Sequence, residues 1–195
     1  FRHSLQRVVR TAFFIATTLR RSYGSPKPFL NFKTSYQLLV AVILSAQCTD
    51  TMVNRVTKKL FEECPGPKEI LSLGIDRLIP YIRSCGYYNS KAKHIIQTTK
   101  MLLDQFHGKV PHDFFELQKF PGVGEKTAGV VLTQAFHIPA FPVDTHIFRV
   151  ARRLRLSKEK NPNKVSRDLQ KIFPKKNWEM LTRQIIVHGR TLCTA

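Results

Sequence analysis

No acidic residue occurs before Asp50, and only Glu159, Asp168 and Glu179 follow Thr145. Residues 1–49 carry seven Lys/Arg and residues 146–195 carry thirteen, whereas residues 50–145 set twelve against ten acids. The formal net charge of +19 is therefore concentrated at the two ends of the chain. If those ends fold together they attract a polyanion; solubility alone needs far less charge and would scatter it. Cysteine is equally sparse. Cys48, Cys64, Cys85 and Cys193 are too scattered for a disulfide framework or a Cys-x-x-Cys metal site, which points to a reducing compartment. No segment approaches the roughly 20 consecutive apolar residues that span a bilayer, so no membrane association is expected. Strand-like alternation is missing as well.

Helical periodicity is what remains. Ser25-Pro26-Lys27-Pro28 breaks the chain and reads as a linker. Thr34 or Ser35 can cap the next helix, whose run Leu38 to Ala46 is apolar all round and so belongs at the centre of a core. Asp50 can cap a helix from Thr51 to about Glu62, with Val53, Val56 and Leu60 turned inward. Gly74 punctuates the following stretch, and Pro80 should kink or delay a helix marked by Ile75, Leu78, Ile79 and Ile82. After Gly86-Tyr87-Tyr88, Asn89 is expected to cap a helix with Ala92, Ile95, Ile96, Thr99, Leu102 and Leu103 on its apolar side. The fold class is all-α, in one domain or two small ones.

The chemistry concentrates between Leu117 and His146. Phe114, Leu117 and Phe120 recur at intervals of three, Pro121-Gly122-Val123-Gly124 follows, and Ala128, Val131, Leu132 and Ala135 resume helical spacing. That is a helix, a tight hairpin and a helix, over about residues 112–136. The two glycines permit positive φ and close approach of another backbone, and the N–H groups that open the second helix point outward. Such a turn holds a phosphate through the backbone of Gly122, Val123 and Gly124. Lys126 stands at the positive end of that helix dipole, which disfavours the cation and favours the neutral, nucleophilic amine. The plainer alternative is a solvated lysine after an ordinary helix link. Asp144, held by Phe141-Pro142-Val143 just before a helix from Thr145 to Leu154, reads either as an N-cap or as a carboxylate that stabilises developing positive charge. His146 reads as a DNA contact or as a packed histidine. Arg149, Arg152, Arg153 and Arg155, alternating with Val150 and Leu154, read as a solvated basic face turned toward phosphate.

Phe120-Pro-Gly-Val-Gly-Glu-Lys-Thr-Ala128, with Val143-Asp-Thr-His-Ile-Phe-Arg-Val150 after it and Asp144 eighteen residues beyond Lys126, resembles the helix-hairpin-helix DNA glycosylase superfamily, most closely its endonuclease III branch. Leu44-Ser-Ala-Gln-Cys-Thr-Asp50, Tyr88-Asn-Ser-Lys-Ala92 and His188-Gly-Arg190 extend the resemblance, in the same order, over nearly the whole chain. The resemblance implies a two-domain fold. An N-terminal helix, residues 1–27, would pack with a C-terminal helical domain, residues 139–195, while residues 28–138 form a separate six-helix domain. It also implies a base-excision repair enzyme that acts as a monomer on double-stranded DNA with damaged bases or abasic sites. Lys126 would attack C1′ and form a Schiff base, with Asp144 as its catalytic partner. Lysine at that position separates the glycosylase/lyases from the adenine-specific branch, in which water attacks. Gln47 and Tyr87 would fill the gap left by a rotated-out base, while Gly122, Val123, Gly124, Thr127 and His146 contact DNA, with a monovalent cation at the hairpin.

Two departures stand out. Tyr87 replaces the family's leucine; an aromatic wedge still stacks on bases, although preference for the opposite base can shift, and a half-buried loop aromatic is the alternative. The family also carries a 4Fe-4S cluster on Cys-x6-Cys-x2-Cys-x5-Cys, of which Cys193 matches the first ligand and the other three are absent. Phe1 and the abrupt end lead us to expect a fragment rather than a clusterless relative. The acid-free Arg2 to Arg21 also reads as an organelle transit peptide; a first helix of the basic domain is preferred, in an intracellular protein of the cytoplasm or nucleoid if it is bacterial. The reading is a glycosylase/lyase that removes oxidised pyrimidines. A glycosylase of other base specificity and a non-catalytic helix-hairpin-helix DNA-binding module are the alternatives.

Overall fold

The computed structural model describes residues 2–195, with side chains from residue 10 onward. Among the described residues there are helices and no strands. The chain divides into two compact units, a central one of residues 29–138 and a terminal one made of residues 1–28 and 139–195.

In the central unit, α2 (Ser35–Ser45) is the apolar run, and every residue from Tyr36 to Leu44 is buried. Helices α3 (Asp50–Glu63), α5 (Tyr88–Phe106) and α7 (Glu125–Phe136) pack around it. Leu38, Leu39, Ile43 and Leu44 are fully enclosed, and each such side chain contributes about 1.5–3 kcal/mol. Thr34 caps α2 by accepting from the Gln37 N–H. The cap of α3 is Thr49 rather than Asp50, which is instead the first helical residue, where its charge suits the helix dipole. Helix α4 (Pro67–Ile82) is two helices merged across Gly74, at φ 72° and ψ 172°, and Pro80 sits inside the second. The kink thus falls at the glycine. Helix α5 is not capped by Asn89: it starts at Tyr88, with Tyr87 in the left-handed region and no side-chain cap. The short α6 (Phe114–Gln118), capped by Asp113, leads into the hairpin and α7.

The terminal unit joins α1 (Arg2–Tyr23) to α8 (Thr145–Arg153), α9 (Pro162–Ile172), a 3-10 turn (Lys175–Asn177) and α10 (Trp178–Thr191). Its core is Ala12, Leu19, Phe141, Ile147, Val150, Leu169, Phe173 and Ile185, with α10 packed on both α1 and α8. The Tyr23 hydroxyl meets His188 Nδ1 at 2.9 Å, and Gln184 Nε2 donates to Gly24 O at 2.6 Å, which fastens the first helix to the last. The two acid-poor ends therefore fold as one body, holding nineteen of the 32 Lys/Arg and only four of the 13 acids. Among the described residues no helix is long and apolar enough to cross a membrane.

Candidate functional site

The hairpin between α6 and α7 is held from inside and open outside. Val123 is buried and its N–H donates to Phe120 O at 3.0 Å, so it anchors the turn, and that N–H is engaged within the protein. Thr98 of α5 donates to Pro121 O at 3.1 Å, and a Cβ at Gly122 would meet His94 Nδ1 at 2.9 Å. Gly122 has φ 81°, as the motif requires; Gly124 does not use positive φ, lying at φ −93° and ψ −178°. A Cβ at Gly124 would have nothing within 4 Å, so nothing within the chain demands glycine there. Gly124 caps α7 without a side-chain bond, which leaves the opening N–H groups of α7 available to an external acceptor. Lys126 is exposed in that first turn and Thr127 half-buried. His94 and Thr98 were missed by sequence reasoning, because they support the hairpin from a helix more than twenty residues upstream.

Gln47 and Tyr87 occupy two turns of the central unit that lie side by side: a Cβ at Gly86 would be 3.5 Å from Gln47 O. Ala46 at φ −58° and ψ 116°, Gln47 at φ 50°, and a Cys48 N–H to Ser45 O bond of 3.2 Å make a type II turn, whose third residue is ordinarily glycine. Tyr87, at φ 57°, is also left-handed and 69% exposed. Each costs of the order of 1–2 kcal/mol relative to a relaxed backbone, and each holds its side chain outward. Buried Lys91, near the start of α5, donates to Leu44 O near the end of α2 at 2.8 Å, just behind the two turns. Burial pushes its amine below the ordinary lysine value, partly offset by Cys48 and Cys85. Lys91 lies within the quoted Tyr88–Ala92 motif, but its partner is 47 residues away and no local signal reveals it.

In the terminal unit, Asp144 is the N-cap of α8: Oδ1 accepts from the Ile147 N–H at 2.8 Å, and the residue remains partly exposed. His146 is half-buried, and a Cβ at Gly189 would strike its Cβ at 2.9 Å, so the glycine of His188-Gly-Arg190 exists to admit His146. Arg149 departs from the expected solvated face. Its guanidinium donates to Gly189 O at 2.6 Å and to Cys193 O at 2.7 and 3.1 Å, satisfying carbonyls at the end of α10. Arg153 reaches Cys193 Sγ at 3.3 Å and Thr194 O at 2.6 Å, whereas Arg152 lies over the Phe148 ring. Arg155 stays exposed.

The chain matches the HhH-GPD superfamily of base excision DNA repair proteins over residues 40–175. It is 48% identical to endonuclease III of Rickettsia felis over 171 residues, which is 88% of this chain and 80% of that protein. With endonuclease III of Escherichia coli K12 it shares 44% over 181 residues, 93% of this chain and 86% of that one. It belongs to the endonuclease III family. It is accordingly an enzyme of the DNA glycosylase class. A trapped endonuclease III–DNA covalent intermediate superimposes with a TM-score of 0.92 at 39% identity, covering 96% of this chain and 88% of that one. A thermostable thymine-DNA glycosylase, TM-score 0.81 at 19% identity, shares the fold. Of the ligands that the cluster usual in this family would need, the terminal unit holds Cys193, whose sulfur faces Arg153, and among the described residues no group of three or more His, Cys, Asp or Glu is placed to hold a metal.

Proposed function

We propose that this enzyme is a bifunctional DNA N-glycosylase that releases oxidised pyrimidines and cleaves the strand at the resulting abasic site through a Schiff base on Lys126. The observation that carries the reading is an exposed lysine one position into a helix whose N-terminus has no side-chain cap and follows a glycine hairpin. A phosphate on that terminus sets the reacting sugar beside the amine.

The lone pair of Lys126 Nζ attacks C1′, the glycosidic bond breaks and the base leaves with its electron pair. Asp144 accepts the amine proton and offsets the positive charge that builds on the sugar. The opened sugar forms an imine with Nζ, which acidifies the C2′ proton; loss of that proton expels the 3′ phosphate by β-elimination. Gln47 and Tyr87, on their strained turns, fill the space that the base vacates. Thr127 and His146 complete the DNA contacts. Preference for oxidised pyrimidines is the family's, and Tyr87 in place of leucine favours a shifted choice of opposite base. We place the enzyme wherever the cell keeps its DNA.

Borohydride trapping on a duplex with one abasic site, run beside Lys126→Ala, tests this. A covalent complex absent from the variant is the expected result. Trapping that survives the substitution would move the Schiff base to another amine, and binding without trapping would leave a binding module or a water-using glycosylase.

A further inference from the structure

The chemistry above has no use for two thiols beside the Gln47 and Tyr87 turns. Cys48 closes the first turn, its N–H donating to Ser45 O at 3.2 Å, and Cys85 begins the second, its N–H donating to Ile82 O at 2.8 Å. The adjoining backbones touch, since a Cβ on Gly86 would be 3.5 Å from Gln47 O. That approach brings Cys85 close enough to Cys48 for the two side chains to interact, although 37 residues separate them in sequence. Cys85 is fully enclosed and Cys48 only half-buried, so one sulfur can meet a small solute while the other waits behind it. The Lys91 ammonium, fixed on Leu44 O at 2.8 Å, lies near both sulfurs and favours negative charge on Cys85. Burial first, and then Cys48, pushes the Cys85 thiol up to about 12, which keeps it inert alone and assigns the first step to Cys48.

We propose that Cys48 and Cys85 are an oxidation site for hydroperoxides, at which the two thiols close to a disulfide that pins the Gln47 turn to the Tyr87 turn. The Cys48 sulfur attacks one peroxide oxygen, the O–O bond breaks, and the thiol proton leaves with the departing oxygen as water. The Cys85 sulfur then displaces the sulfenic hydroxyl, which leaves as a second water with the Cys85 proton. Two thiols lose two hydrogens, and one peroxide becomes two waters. The bond fixes two turns that must each reach into the duplex, so oxidation weakens the grip on damaged DNA. That consequence rests on the roles proposed above for Gln47 and Tyr87.

The test treats the reduced full chain with hydrogen peroxide, alkylates the remaining thiols and maps peptides by mass, then measures affinity for a duplex with a stable abasic analogue. The expected result is a peptide pair joined through Cys48 and Cys85, a fall in affinity of about tenfold or more, and recovery with dithiothreitol. Cys48→Ser should form no link and keep its affinity under peroxide. Over-oxidation of Cys48 without a link, or a link that leaves affinity unchanged, overturns the proposal. A reduced chain that binds no abasic duplex sinks the function proposed above, while the cross-link, read without DNA, still decides whether the thiol site exists.

Discussion

Helices α7 and α8 begin with the same backbone and opposite chemistry. Gly124 stands at φ −93° and ψ −178°, and Asp144 at φ −95° and ψ −176°. Both are extended caps ahead of a helix whose first N–H groups lack partners. Asp144 fills its own end, accepting from Ile147 N–H at 2.8 Å; Gly124 brings no side chain and leaves its end open. The dipole of α8 is answered by a carboxylate from within, and that of α7 awaits an anion from without. A DNA phosphate is such an anion. The pair teaches that a missing cap can carry as much meaning as a present one: α2, α3, α6 and α9 begin on Thr, Asp or Asn side chains that bond back to the backbone, whereas α4, α5 and α10, like α7, have no side-chain cap.

The comparison breaks most visibly at Lys126. Lys126→Ala should slow β-elimination at an abasic site by about 10³-fold or more in single-turnover assays, with duplex affinity little changed; comparable rates would remove the open end from the chemistry. Asp144 separates its two duties by substitution. Asparagine caps about as well as aspartate, so Asp144→Asn should leave unfolding free energy within about 0.5 kcal/mol while base release falls about 100-fold. Asp144→Ala should lose roughly 1 kcal/mol of stability in addition. A fully active Asp144→Asn would reduce the carboxylate to a cap.

At the hairpin the two glycines should part company. Gly122→Ala meets a φ of 81° and His94 Nδ1 at 2.9 Å, and should cost about 1–2 kcal/mol in urea unfolding. Gly124→Ala meets neither and should be near neutral in stability, yet it should weaken DNA binding, because its methyl group occupies the approach of a phosphate backbone. Equal stability losses at both would mean that Gly124 serves the fold. The smallest effect is also the most direct: Gly124→Asp gives α7 the cap that α8 has. It should add a few tenths of a kcal/mol of stability and reduce affinity for DNA; a capped α7 that binds DNA as before would dismiss the open-end argument.

How much of this was readable in the sequence depends on distance along the chain. Helix α2 and its cap follow from the apolar run Tyr36 to Leu44 behind Thr34, and the hairpin from spacing around Gly122 and Gly124. Boundary errors arose where two capping residues adjoin, one residue at Thr49 and Asp50, and two residues at α5, where left-handed Tyr87 rather than Asn89 precedes the helix with no side-chain cap. Lys126 and Asp144 could be named as candidates because they sit in local motifs. What stayed hidden is nonlocal: Arg149 bonding carbonyls 40 and 44 residues away, His94 behind Gly122, and Cys48 against Cys85. None of these leaves a periodic or compositional trace.

The engagement of Arg149 bears on how this protein should respond to salt. Its guanidinium is occupied by Gly189 O and Cys193 O, Arg153 by Thr194 O, and Lys91 by Leu44 O. Cations held by carbonyl dipoles of their own chain displace few ions from a duplex. Each phosphate neutralised steepens the decline of log affinity with log salt by about 0.9. The slope should therefore report far fewer released counterions than a formal charge of +19 suggests, and Arg149→Ala should lower stability while leaving that slope almost untouched.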